Sequence, residues 1–91
     1  MKNANVIQEK NVKLEYINQC LNVWVNEVSG AEQQSRQRAR ELIFTAYTNN
    51  SDSLNLLSLN LTSLPDIIGE LTNLQILFAS NNHFVRVPGI I

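Results

Sequence analysis

Between residues 54 and 91 the chain runs through one apolar pattern twice, at an offset of 23 residues. Leu77 falls where Leu54 stands, Ala79 on Leu56, Phe84 on Leu61, Val87-Pro88 on Leu64-Pro65 and Ile91 on Ile68. Recurrence at a period of this length implies stacked units, because one short strand with its return segment cannot bury its own apolar side. At 91 residues, one core is the most the chain is expected to build.

The second pass reads Leu74-x-x-Leu77-x-Ala79-x-x-Asn82-x-Phe84-x-x-Val87-Pro88-x-x-Ile91, the spacing of a leucine-rich repeat. Each unit is expected to hold a short strand, Leu54 to Leu56 and Leu77 to Ala79, with alternate side chains pointing to opposite faces. Asn82 is expected to turn its amide inward and satisfy backbone groups of its own and the preceding unit. Its counterpart is the apolar Leu59, expected because the first unit has no preceding unit to bond and faces the helical half of the chain instead. The outward positions are then Ser53, Asn55, Leu57 and Ser58, followed by Ile76, Phe78, Ser80 and Asn81. Leu57, Ile76 and Phe78 are an apolar trio there, which reads either as a contact surface or as positions covered by the rest of the chain. The candidate protein-binding residues are Asn55, Leu57, Ile76, Phe78 and Ser80.

The preceding half has a different period. Leu14, Ile17, Leu21, Trp24 and Val28 recur at steps of three and four, so a helix is expected over about Val6 to Val28 with these residues on one stripe. Ser29-Gly30-Ala31-Glu32 reads as a break and a new start, with Ser29 and Glu32 as a capping box. A second helix follows over about Ala31 to Tyr47. Its apolar face is Ala39, Leu42, Ile43, Ala46 and Tyr47, and Glu32 and Arg36 form an i,i+4 pair. Composition changes at Thr48-Asn49-Asn50-Ser51-Asp52-Ser53, dividing the chain into a helical-hairpin cap, 1–48, and repeats, 49–91. The fold expected is α/β: a right-handed leucine-rich-repeat solenoid of about two repeats with an N-terminal α-helical hairpin cap.

The string Leu54-Asn55-Leu56-Leu57-Ser58-Leu59-Asn60-Leu61-Thr62-Ser63-Leu64-Pro65, following a hairpin that carries Trp24, resembles the N-terminal part of bacterial leucine-rich-repeat effectors delivered by type III secretion, the YopM-like and IpaH-like group. The resemblance spans roughly Tyr16 to Pro65. It implies a virulence-associated protein made in the bacterial cytoplasm, secreted into a host cell, and binding a host protein through its concave surface. The second repeat departs from it, since Ile68-Gly69-Glu70-Leu71-Thr72-Asn73-Leu74 is similar to a longer, more general bacterial and plant repeat. Some members carry a ligase cysteine followed two positions later by aspartate. Here Cys20-Leu21-Asn22 offers asparagine, so no ligase chemistry carries over.

Other features narrow the function further. Seven Lys and Arg against eight Asp and Glu give a net charge of −1, which draws the chain to neither nucleic acid nor membrane. One cysteine excludes an internal disulfide, and Cys20 is expected to be a small buried hydrophobe. His83 is expected in an exposed turn without metal partners. Arg36, Arg38 and Arg40, interleaved with Gln and flanked by Glu32 and Glu41, read as a solvated helix face. The start of the chain is too polar for a Sec-type leader, and no stretch approaches membrane-spanning length. No acid, base or nucleophile constellation assembles, so a non-enzymatic protein-binding module with no cofactor is expected. The alternative is a structural capping fragment or truncated product with no partner of its own. Because Ile91 falls in the middle of a repeat, the open C-terminal edge is expected either to self-associate or to leave the segment after about Asn82 disordered.

Overall fold

The computed structural model describes the backbone of residues 2–84 and the side chains of residues 12–84. The recurring positions Val87, Pro88 and Ile91 lie outside that range, as does the expectation for the segment they belong to. Two helices, α1 (Lys2–Asn26) and α2 (Gly30–Thr48), are followed by strand β1 (Ser53–Asn55), a 3-10 turn (Asp66–Glu70) and strand β2 (Ile76–Phe78). No glycine or proline precedes Gly30, so nothing interrupts α1, which starts earlier than its apolar stripe does. It ends two residues short of Val28. The Glu27 N–H closes a tight bond to the Trp24 carbonyl, and Gly30 then takes φ +66°, a conformation glycine adopts without strain.

The helices pack antiparallel. Going up α2, Gln33 donates to Asn26, Arg36 to the Trp24 carbonyl, and Arg40 to Asn22 and Asn18, so the partners descend α1 as α2 ascends. Ile17, Leu21, Trp24 and Val25 of α1 and Ala39, Ile43 and Ala46 of α2 are buried in one core with Leu54, Leu56 and Leu61. The capping box does not form. Ser29 has the extended backbone of an N-cap, yet its hydroxyl caps nothing. Glu32 turns to Arg36 and to the Thr62 hydroxyl instead of reaching back, because a charged partner binds a carboxylate more strongly than a backbone amide does.

β1 and β2 pair in parallel, with Leu54 opposite Leu77, and the pairing keeps the 23-residue offset of the sequence. Both strands begin and end one residue before the expected positions. Beyond them the two segments hold the same course: Ser58 and Asn81, again 23 apart, both adopt left-handed backbone at φ 56° and 60°. A parallel pair needs a crossover connection. Here it is the return segment, whose Leu64, Pro65, Ile67, Ile68 and Leu71 are buried. Asn82 locks the two passes together as expected. Its Oδ1 accepts from the Leu59 and Leu61 N–H groups at 3.1 and 2.9 Å, and its Nδ2 donates to the carbonyls of Leu56 at 2.7 Å and Ala79 at 3.0 Å.

Arg36 overturns the reading of a solvated basic face. It is 4% exposed and lies on the same three-and-four stripe as Ala39, Ile43 and Ala46. Its guanidinium stacks 4.8 Å from the Trp24 ring centroid. Nη1 donates to the Trp24 carbonyl at 2.7 Å and Glu27 at 3.1 Å, while Nη2 donates to Glu32 and the Ser63 hydroxyl at 3.2 Å each. The Trp24 indole N–H also donates to Ser63. A buried guanidinium is costly unless it is paired and hydrogen-bonded, and its planar fork can serve several acceptors at once. Only Nε lacks a partner. On the far side, Lys13 of α1 meets Glu70 at 2.6 Å, an exposed pair, and this hydrogen bond followed by the charge of Glu70 raises the Lys13 pKa.

Two outcomes follow from this packing. Trp24→Ala should cost about 3 to 5 kcal/mol in denaturant unfolding, since it empties a buried site under Arg36. The parent's emission should be blue-shifted, and emission like that of free tryptophan would contradict the placement. The second concerns acid. The Thr62 hydroxyl, aided by Arg36, holds the Glu32 carboxyl below its ordinary pKa of 4.5. A depressed carboxylate contributes stability above its unfolded value and loses it as pH falls through the folded one. Glu32→Gln should therefore lower Tm at neutral pH and flatten its decline below about pH 4.5, measured by thermal scans across the acid range.

Candidate protein-binding face

Alternation along a strand sends Leu54 and Leu56 inward and their neighbours outward. Leu54 and Leu56 are buried, while Leu77 and Ala79 of the second pass are half-buried. On the outer face, Ser53 stands beside Ile76 and Asn55 beside Phe78. Ser58 donates its N–H to the Ser80 carbonyl at 3.1 Å, which carries the pairing on past the strand and brings Leu57 to the level of Ser80. The five candidate residues, Asn55, Leu57, Ile76, Phe78 and Ser80, are therefore gathered on one surface and are all exposed.

The apolar trio is not covered by the helices. Leu57 is 39% exposed, Ile76 51% and Phe78 46%, large values for side chains of this size. The polar positions frame them. Asn55 is partly spent locally, since its Oδ1 accepts the Leu57 N–H at 3.0 Å and fixes the turn that presents Leu57. From Leu71 to Phe84 the sequence holds no Asp, Glu, Lys or Arg, so the Ile76 and Phe78 side of the face is neutral.

The remaining singled-out residues lie elsewhere. Cys20 is half-buried rather than fully enclosed, and it lines a groove of about 620 Å³ between α1 and the return segment together with Tyr16, Val23 and Asp66. A hydrogen bond to Cys20 raises the pKa of Tyr16 above its ordinary value. Cys20 faces the groove because α1 is covered by α2 on one side and only in part by the return segment on the other. His83 is exposed, and its backbone N–H donates to the Leu61 carbonyl at 2.8 Å. Arg36 is the residue that sequence reasoning misplaced. Its position three residues before Ala39, on the apolar stripe of α2, was the available signal.

Against known proteins the chain finds no counterpart: no family model, no curated protein and no solved structure matches it. Its own geometry is then the basis for a functional reading.

The two faces of the sheet make opposite predictions for stability. Phe78→Ser should change the unfolding free energy by no more than about 0.5 kcal/mol, as for other surface positions. Leu56→Ala, at a fully buried site of the same sheet, should cost about 2 to 5 kcal/mol. Equal losses in urea denaturation would mean that Phe78 belongs to the core.

Proposed function

We propose that this chain is a non-enzymatic protein-recognition module, a leucine-rich-repeat solenoid start closed by a helical hairpin, which binds a partner through the face bearing Asn55, Leu57, Ile76, Phe78 and Ser80. The observation that carries this reading is the joint exposure of Leu57, Ile76 and Phe78 on one surface. An isolated exposed apolar side chain is ordinary, but three on one small sheet face with a polar frame have the make-up of an interface centre. The 23-residue recurrence, the inward Asn82 amide and the shared left-handed turns support the repeat architecture.

The resemblance of Leu54 to Pro65, with Trp24 on the preceding hairpin, to type III secreted effectors suggests a host protein as the partner and export from a bacterium as the route. A purely structural cap is the rival reading. It draws on α2, which packs on β1 and would serve to close a longer repeat array without any partner.

The deciding experiment is capture from eukaryotic lysate with the parent chain and with Phe78→Ser, folding being checked by circular dichroism. A specific protein retained by the parent should lose about 2 kcal/mol of affinity or more with the folded variant. Capture that does not depend on Phe78, or no capture at all, favours the structural cap.

A further inference from the structure

The two ends of the stacked pair are not equivalent. α2 crosses the end of the first pass: Glu32 and Arg36 near its start contact Thr62 and Ser63 on the return segment, and at its other end the Ser51 N–H bonds to the Ala46 carbonyl just before β1. The opposite end is formed by the second pass. There Leu77, Ala79 and Phe84 occupy the positions of Leu54, Leu56 and Leu61, yet they are half-buried where those are buried. The difference is the missing layer on top of them among the described residues.

The backbone shows the same asymmetry. Ile76 donates to the Asp52 carbonyl at 3.0 Å, and the Phe78 carbonyl accepts from Leu56 at 2.7 Å. In a parallel ladder the residue between such positions points its N–H and C=O the other way. Leu77 therefore offers both groups on the outer edge of β2, where no described residue pairs with them. Natural edge strands are usually protected by shortness, lysine, proline or an inward charge, and β2 has its shortness alone. From Leu71 to Phe84 there is no Lys, Arg, Asp, Glu or Pro.

We propose that the outer edge of β2 is a pairing surface for a second copy of this chain, joined antiparallel about a two-fold axis near Leu77. Head-to-tail stacking would need the end of the first pass on the incoming copy, and α2 covers that end. Edge-to-edge pairing is the arrangement left, and an isologous contact of this kind closes at two copies. It sets Leu77 against its own counterpart and Ala79 against the partner's Gln75 with no like charges across the axis, and makes a four-stranded sheet in place of a marginal two-stranded one. Ile76 then faces the partner's Phe78, so the exposed apolar patch doubles without being covered. The contact lies on the edge of the sheet and is independent of recognition through its face.

Sedimentation of the 91-residue chain across the micromolar range tests this. A reversible monomer–dimer equilibrium that stops at the dimer is expected, with slowed hydrogen exchange at the Leu77 amide as the dimer populates. A monomer throughout, growth past the dimer, or dimerisation without change at Leu77 overturns the proposal. Ala79→Pro removes an edge N–H and should yield a folded monomer by circular dichroism. A folded variant that dimerises like the parent also overturns it, and if this variant unfolds, exchange at Leu77 in the parent decides alone.

Discussion

Leu54, Leu56 and Leu61 must be covered from two sides, and that requirement organises the molecule. A strand with its return segment encloses an apolar interior but leaves it open at both ends, since each pass is only one chain thick. Here α2 closes one end and the second pass closes the other, leaving Leu56 and Leu61 fully buried. Each fully buried leucine contributes on the order of 1.5 to 3 kcal/mol, a large share of the net stability of so short a chain. The helices and the two-stranded half are therefore interdependent. Their buried residues form one shared core.

The junction between these two kinds of structure is polar where apolar packing might be expected. Arg36 stands on the buried stripe of α2 and draws Trp24, Glu27, Glu32 and Ser63 into one network. Replacing such a cluster by hydrophobic side chains often leaves stability unchanged, so its contribution is better sought in orientation. Its bonds run from α2 to the carbonyl of Trp24 and to the return segment, fixing one rotation of the hairpin on the first pass. Leucines slide past one another at small cost, whereas a guanidinium displaced from its acceptors leaves unsatisfied buried donors.

The same stacking shapes the outer face. Because the interior takes the inward residues of both strands, the outward ones form a short ladder whose geometry is set by backbone pairing and by the Asn82 amide. Leu57, Ile76 and Phe78 thus stand exposed on a ladder supported by the core beneath.

Much of this was legible in the sequence, because it rests on period. Steps of three and four marked both helices, the 23-residue offset marked the strand pairing and its register, and alternation placed Asn55, Leu57, Ile76, Phe78 and Ser80 outward. Asn82 was legible too, since a lone amide in an apolar repeat must meet backbone groups. What period could not supply was the partner of each polar side chain. The sequence placed Glu32 equally well in a capping box or an ion pair, and it assigned Arg36 to water because interleaved Gln and the nearby Glu32 and Glu41 read as a solvated face. Only the tertiary structure brings Trp24, Glu27 and Ser63 around that guanidinium, and it alone turns Glu32 away from the helix start. Apolar burial follows local spacing, but pairing of charges depends on which distant segments share a buried space, and that is decided when the layers pack.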